Sequence, residues 1–226
     1  KYASRTSRLT SEMVEEAKKL INALGLPVID APSEGEAQAA YMVSKGDAFA
    51  IVSQDYDSLL YGANKVIQNL TISERKKKPN TLTYQTIKPR IISLEDTLNH
   101  LGIDREQLIV LAILVGTDYN CGGIKGIGPK KALDLVKKYG SDFNALFKEC
   151  RWEDSFLFPW TDAFYTIKNM KVTDDYLLKW KDIDEKEIFN LLVTLHDFGE
   201  ERVVRVINKL NKNKENRQQK GLGDFF

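Results

Sequence analysis

The stretch LPVIDAPSEGEAQAAYMVSKGDAFAIVSQDYDSLLYG, residues 26–62, alternates short apolar runs with a helical pattern. Residues 28–29 begin a short strand, and the apolar run 48–52 is typical of a second, buried strand. Between them a helix opens at Pro32 and ends at Gly46. This strand-helix-strand order favours a parallel sheet with helices on both faces, so the sequence predicts an α/β core.

Outside this stretch the same periodicities predict further elements. These are a helix near 11–24, strands at 65–71 and 81–87 around the polar turn 73–80, helices capped by Ser93 and Asp104, a basic helix from Pro129 to Tyr139, and helices near 185–195 and 200–210. The predicted organisation therefore has three parts: an α/β part over 1–92, a helical part over 93–210 and a flexible tail over 211–226.

The composition limits the possible functions. The 226 residues carry a net charge of +1 and are 42% hydrophobic and 29% charged, as in a typical globular protein. Affinity for nucleic acid must therefore come from charge concentrated on one face. No apolar run reaches the roughly 20 residues of a membrane helix, so we expect no membrane partner. The 2 cysteines lie in dissimilar contexts, which favours a reducing, intracellular compartment.

Two pairs of acidic residues follow the two predicted strands of the opening stretch. Glu34 and Glu36 lie in PSEGE, and Asp55 and Asp57 lie in SQDYDSLL. Because parallel strands present their carboxyl ends at one edge of a sheet, the two pairs should converge there. Converging carboxylates repel one another unless a cation compensates them. Oxygen-only ligands suit Mg²⁺ or Mn²⁺, so the pattern predicts a divalent-metal site.

Each acidic motif also has a purely structural interpretation. Ser33 and Glu36 have the spacing of a capping box at a helix start. Asp55 and Asp57 could simply favour the N-terminal end of a helix dipole. A fifth acid, Asp118 in VGTDYN, is by itself typical of a turn.

A glycine-rich segment, GGIKGIGPKKA, covers residues 122–132 and is called the glycine hairpin below. Its glycines, Gly126 and Gly128 among them, permit close backbone approach and positive φ, and the following helix N-terminus offers free N–H groups to a phosphate. Lys125, Lys130 and Lys131 add positive charge. The pattern favours a helix-hairpin-helix that holds a nucleic-acid backbone, and the alternative is a tight turn with a solvated basic face.

Three motifs together resemble the flap endonucleases, a family of structure-specific 5′ nucleases, and their sequences are more like archaeal than eukaryotic members. They are APSEGEAQAAY at 31–41, SQDYDSLLYG at 53–62 and VGTDYNCGGIKGIGPKKAL at 115–133. The resemblance implies a metal-dependent endonuclease with associated 5′-3′ exonuclease activity, which cuts branched or flap DNA in replication and repair. Residues 1–92 would then be an internal nuclease part, and 93–210 would include the DNA-binding hairpin.

The resemblance also implies roles for individual residues. Its active-site acids, which hold two Mg²⁺ ions (or Mn²⁺), correspond to Glu34, Glu36, Asp55, Asp57 and Asp118. The family's hairpin usually binds a monovalent cation, here expected to be K⁺ on the carbonyls of Gly123, Ile124 and Ile127. The family further has an N-terminal segment with two more aspartates, and because KYASRTSRLT opens without Met, we expect residues upstream of it.

The end of the chain carries a separate motif. Gln219, Leu222, Phe225 and Phe226 form a Q-x-x-L-x-x-F-F pattern, which looks like the peptide by which replication proteins bind a PCNA-type sliding clamp. The preceding stretch NKNKENRQQK has no apolar residue and should be flexible. Two adjacent phenylalanines at a solvated terminus favour an anchor for a partner's groove.

Other functions are compatible with parts of the sequence. A catalytically impaired, clamp-tethered DNA-binding module would fit if the family's N-terminal segment were absent. A carboxylate-based glycosidase needs only two acids, but it leaves the hairpin lysines and the tail unexplained. For the leading interpretation we expect a cytoplasmic location if the protein is archaeal and a nuclear one if it is eukaryotic.

Overall fold

The computed structural model describes residues 9–70, 75–77 and 84–223, and gives only the backbone for 75–77, 84–86 and 213–223. In chain order the elements are α1 Ser11–Ala23, α2 Gly35–Lys45, β1 Ile51–Val52, α3 Asp57–Leu60, β2 Lys65–Gln68, β3 Arg75–Lys77, β4 Tyr84–Thr86, β5 Arg90–Ser93, α4 Leu94–Leu101, α5 Arg105–Val115, α6 Pro129–Tyr139, α7 Phe143–Glu149, a 3₁₀ turn Trp152–Asp154, α8 Trp160–Lys168, α9 Glu185–Phe189, a π-helical turn Asn190–Leu195 and α10 Glu200–Gly223. This mixed architecture confirms the α/β class.

The main sheet has the strand order β1-β2-β5, with β1 parallel and β5 antiparallel to β2. The strand-helix-strand order predicted a parallel pair between 28–29 and 48–52, whereas the structure pairs β1 with β2, the strand that follows α3. The antiparallel neighbour at Arg90–Ser93 was not predicted, because its apolar run is only Ile91–Ile92. An antiparallel edge strand on an otherwise parallel sheet is common in α/β proteins.

Three predicted elements differ from the structure. Residues 28–29 form no strand, because none of the strands in the described ranges pairs with them. The expected turn at 73–80 contains β3, which pairs with β4 in a separate two-stranded ribbon. The last helix continues to Gly223 instead of ending near 210. Residues 211–220 contain no Gly or Pro to stop it. The flexibility of the tail stays a prediction.

Predicted helix ends at Ser93 and Asp104 are confirmed. The Ser93 hydroxyl accepts a hydrogen bond from the Asp96 amide at 3.1 Å. The Asp104 carboxylate accepts from the Gln107 amide, and the Gln107 side chain accepts from the Asp104 amide, both at 2.8 Å. This reciprocal pair is a capping box that satisfies two otherwise free N–H groups at the start of α5.

The chain divides into two compact units. One runs from Ala31 to Asp174, and the other combines the residues up to Asp30 with those from Asp175 onward. The larger unit has a core that reaches from Ala40 in α2 to Ile167 in α8. One core therefore spans both sides of the predicted boundary after residue 92.

The smaller unit has its own core, in which α1, α9 and α10 contribute Ala23, Ile188, Val203 and Ile207. Within the described residues, no helix combines the length and the apolar character that crossing a membrane requires.

Candidate metal centre and nucleic-acid interface

The five predicted acids line one cavity of about 230 Å³, called the acidic cavity below. Glu34 lies at the N-cap of α2 and Glu36 in its first turn, while Asp55 follows β1 and Asp57 begins α3. Asp118 lies in the loop after α5. The cavity is completed by Leu60, Tyr61, Thr117, Tyr119 and Ile167. The structure thus brings together acids that are up to 84 positions apart in the chain.

The helix that carries the two glutamates is fixed to the segment before Asp174. Gln38 is only 2% exposed. Its amide nitrogen donates to the Thr173 carbonyl at 2.9 Å, and its amide oxygen accepts from the Thr173 N–H at 2.8 Å. This two-point pairing holds the buried face of α2 in place, so that its N-terminus stays at the cavity.

The capping-box interpretation of Ser33 and Glu36 is wrong. The Ser33 hydroxyl donates to the Met170 sulfur at 3.1 Å, and the N-cap residue of α2, Glu34, makes no side-chain cap bond. Glu36 accepts a 2.5 Å hydrogen bond from the Ser53 hydroxyl through Oε1. Its other oxygen, Oε2, is buried and has no hydrogen-bond partner among the described residues. Capping therefore does not account for this glutamate.

The electrostatic cost of the cluster is clearest at Asp57. Partial burial raises the pKa of this carboxyl above its ordinary value of 3.8, and repulsion from Glu36 and Asp118 raises it further. A raised carboxyl pKa means that negative charge at this position is disfavoured. Either a proton or a cation would relieve it.

Donor chemistry and the unpartnered Glu36 Oε2 fit a hard divalent cation, which carboxylate oxygens bind preferentially. Among the residues described, however, no three His, Cys, Asp or Glu side chains are grouped closely enough to hold an ion as they stand. The residues therefore fit such a cation by their chemistry and their shared cavity, and its binding requires the carboxylates to close in.

Asn120, which sequence analysis did not single out, fixes the loop that carries Asp118. It is 2% exposed. Its amide nitrogen donates to the Ile113 carbonyl at 2.7 Å, and its amide oxygen accepts from the Thr117 hydroxyl at 2.7 Å and the Thr117 amide at 3.2 Å. Ile113 is one of the last residues of α5, whose carbonyls have no partner within the helix. The Asn120 side chain thus both caps the end of α5 and holds the loop that carries Asp118.

Two tyrosines at the cavity were also missed. The hydroxyls of Tyr61 and Tyr119 lie 3.1 Å apart, and the Tyr119 hydroxyl donates to Glu34 Oε1 at 3.3 Å. Burial is the largest cause of a raised pKa at both hydroxyls, so both stay protonated at neutral pH. Nothing in the sequence distinguishes them from other aromatic residues, and both rings pack against the core.

The glycine hairpin is built by a close backbone approach. Gly123 has φ 59°, and a Cβ there would lie 2.2 Å from the Val115 carbonyl oxygen. A side chain at Gly116 would likewise meet the Gly123 nitrogen at 2.7 Å. The Ile124 amide donates to the Leu114 carbonyl at 2.9 Å, so the hairpin also satisfies the end of α5. Glycine at 123 is therefore required by space as well as by φ.

The hairpin presents its basic side chains to solvent and buries its isoleucines. Lys125, Lys130 and Lys131 are exposed, whereas Ile124 and Ile127 are 6% and 8% exposed. Gly128 is the N-cap of α6 and makes no side-chain cap bond. The first turn of α6 thus leaves backbone N–H groups for an anion. The Ile124 carbonyl, one of the expected K⁺ donors, accepts from the Ile127 amide at 3.0 Å.

The side chains of the predicted clamp-binding residues lie outside the described part of the chain. Gln219 and Leu222 belong to α10, but their side chains are outside the described residues, as are Phe225 and Phe226 entirely.

The chain is similar in sequence and in fold to known nucleases. Residues 25–118 match the XPG I-region. Flap endonuclease 1 of Pyrococcus abyssi is 50% identical over 226 residues, which are 100% of this chain and 64% of the relative. That of Staphylothermus marinus is 50% identical over 224 residues, 99% of this chain and 63% of the relative. The solved flap endonuclease-1 of Methanococcus jannaschii has a TM-score of 0.77 at 40% identity, covering 95% of this chain and 63% of that one.

The catalytic core of Rad2 also superposes, with a TM-score of 0.69 at 25% identity, over 89% of this chain and 74% of that one. The protein therefore has an XPG-type nuclease fold. The match to the XPG I-region, the superposition and the acidic cavity all support this class. Over its whole length the chain is similar to flap endonucleases. It spans 64% of the length of the Pyrococcus abyssi relative.

Proposed function

We propose that the protein hydrolyses phosphodiester bonds in branched DNA near the base of a 5′ flap, with divalent cations bound by the acidic cavity. The observation that carries the proposal is the convergence of Glu34, Glu36, Asp55, Asp57 and Asp118 on one cavity, where capping does not explain the glutamates. The names of the relatives, Flap endonuclease 1, support the same substrate class.

In this proposal the five carboxylates hold two Mg²⁺ ions, for which Mn²⁺ can substitute. When bound, such ions supply an activated water and stabilisation of the leaving oxygen. Ser53 orients Glu36 through its 2.5 Å hydrogen bond. Asn120 keeps the Asp118 loop in place through Ile113 and Thr117. The chain itself therefore contributes a set of oxygen donors whose backbones come from α2, α3 and the loop after α5.

The hairpin would hold duplex DNA beside the junction without reading its sequence. Exposed Lys125, Lys130 and Lys131 and the N-terminus of α6, with Gly126 and Gly128 permitting close approach, offer contacts to backbone phosphates. A K⁺ ion on the carbonyls of Gly123, Ile124 and Ile127 would add to this contact, with the Ile124 oxygen shared with the Ile127 amide. A DNA substrate also implies an intracellular location.

The test is cleavage of a labelled 5′-flap DNA by the intact protein and by its Asp57→Asn variant at saturating Mg²⁺. We expect cleavage to fall by at least about 100-fold, because one carboxylate of the cation site is lost, while flap binding stays within about twofold. Asp96→Asn is the matched control, since Asp96 is an exposed aspartate in the first turn of α4, outside the cavity. Wild-type cleavage by Asp57→Asn would contradict the cation site.

An intact parent protein that binds flap DNA tightly but never cuts it would favour the clamp-tethered binding module instead.

The C-terminal motif is the second part of the proposal: it binds a sliding clamp. Leu222 and Phe225 are three positions apart, so one helical turn places them on one side, with Phe226 extending the apolar surface. A peptide of residues 216–226 should bind the clamp in calorimetry, and the Phe225→Ala, Phe226→Ala peptide should not. Absence of heat with the parent peptide at high micromolar concentration contradicts this assignment.

A further inference from the structure

A chain of hydroxyl groups runs from the core to the first glutamate of the acidic cavity. Tyr61 directly follows α3, the helix that Asp57 begins, and Tyr119 directly follows Asp118. The two hydroxyls are 3.1 Å apart, and the Tyr119 hydroxyl reaches Glu34 Oε1 at 3.3 Å. This row of hydrogen-bonded hydroxyls thus connects three separate segments of the protein that carry acids of the cavity.

The direction of this chain follows from proton counting. An ionised carboxylate only accepts hydrogen bonds, so Tyr119 donates its single hydroxyl proton to Glu34. The Tyr119 oxygen then acts as acceptor for Tyr61, whose hydroxyl is the donor of the pair. Hydrogen bonds aligned in this way polarise one another, which strengthens the bond that ends on the carboxylate.

Glu34 depends on this chain for its orientation. As the N-cap residue of α2 it makes no cap bond with its side chain, and it is exposed to solvent. Among the hydrogen bonds of the described residues, Tyr119 provides the donor to its carboxylate. A free glutamate side chain has several rotatable bonds, and ordering it when a cation binds costs conformational entropy.

We propose that Tyr61 and Tyr119 are positioning residues, which hold the Glu34 carboxylate toward the acidic cavity before a divalent cation binds. The proposal rests on the cation site of the proposed function. Tyr119 acts on Glu34 directly, and Tyr61 acts only through Tyr119. Their rings anchor the chain, because both pack against the core of the larger unit.

The experiment is calorimetric titration of the intact protein with Mn²⁺ alone, without DNA. Tyr119→Phe keeps the ring and removes the donor, so we expect the Mn²⁺ affinity to fall about tenfold, the lower end for loss of a partner that orients a metal ligand. Tyr61→Phe should lower it by about threefold, since its effect passes through one intervening bond. The double variant should match Tyr119→Phe alone.

Tyr139→Phe is the matched control. The Tyr139 hydroxyl bonds to the Glu149 carboxylate, outside the cavity, so this variant loses a tyrosine–carboxylate bond without touching Glu34. Its Mn²⁺ affinity should equal that of the parent. In flap cleavage, the Mg²⁺ concentration for half-maximal rate should rise in Tyr119→Phe, while the rate at saturating Mg²⁺ approaches the parent value. A merely structural loss would lower the saturated rate as well.

The outcomes separate the two hypotheses. Unchanged Mn²⁺ affinity in both variants, or effects of Tyr61→Phe and Tyr119→Phe that add in the double variant, overturns the positioning role and leaves the cation site intact. Failure of the parent protein to bind Mn²⁺ overturns the cation site itself, and the positioning role with it.

Discussion

Replacing Asn120 with alanine should destabilise the larger compact unit by about 2–6 kcal/mol. Asn120 is 2% exposed, so water does not replace the bonds that its side chain makes. The substitution leaves the Ile113 carbonyl and the Thr117 amide without their 2.7 Å and 3.2 Å partners. A buried polar group that loses its partner costs about 1–3 kcal/mol, and two such groups give the range stated.

The assay is equilibrium unfolding in urea, followed by tryptophan fluorescence. Trp152 is 3% exposed and lies in the same compact unit as Asn120, so its emission reports on that unit. Asn144→Ala is the control, because Asn144 is exposed on α7, where alanine is at least as favourable as asparagine. The control should change the unfolding free energy by less than about 0.5 kcal/mol.

A loss below about 1 kcal/mol for Asn120→Ala, with an unchanged slope against urea, would refute this account of the loop. It would mean that α5 ends and the Asp118 loop keeps its shape without the side-chain bonds of Asn120.

Three further predictions concern the hairpin and the cavity. In urea unfolding, Gly123→Ala should lower the unfolding free energy by more than about 2 kcal/mol, because its Cβ would lie 2.2 Å from the Val115 carbonyl oxygen. The control Gly126→Ala, at φ 82° but in open space, should lower it by only about 1 kcal/mol. Asp57→Asn should raise the unfolding temperature of the metal-free protein at pH 7, measured in EDTA. Because the pKa of Asp57 is raised in the folded state, the folded state binds the proton more tightly, and this carboxyl loses stability as the pH rises above 3.8 through the folded pKa. The gain in the Asn variant should therefore shrink as the pH falls back through that range. Lys130→Ala with Lys131→Ala should weaken binding equally to unrelated DNA sequences and lower the slope of log affinity against log salt by about 1 per lost contact, and an unchanged slope would return these lysines to a solvated face.

Predictions that rested on local physics agree with the structure. Ser93 and Asp104 cap their helices because a side-chain acceptor three residues before a free N–H is a property of a few neighbouring residues. Pro129 begins its helix and Gly46 ends one in a left-handed conformation for the same reason. The five acids named from the sequence do line one cavity, although Asp118 was named only through the family resemblance. The strand-edge argument does not account for Glu34 and Glu36, because residues 28–29, which precede them, form no strand.

Predictions that needed a partner from elsewhere in the chain failed or were not made. Residues 28–29 have strand-like composition, but a strand also needs a hydrogen-bonded neighbour, and none of those in the described residues pairs with them. The short run at Ile91–Ile92 becomes β5 because β2 supplies that neighbour. Ser33 fits a capping box by spacing, yet its hydroxyl bonds to Met170 instead.

The sequence by itself thus determined the α/β class, the helix starts at Ser93, Asp104 and Pro129, the glycine hairpin and, with the family resemblance, the five acids of the candidate site. Only the tertiary structure decided what surrounds those acids: Ser53 beside Glu36, Asn120 beneath the Asp118 loop, and the two tyrosines beside Glu34. The physical reason is that caps and turns are made by residues close in sequence. The partner of a buried polar group, by contrast, is chosen by packing, which joins residues such as Tyr119 and Glu34, 85 positions apart.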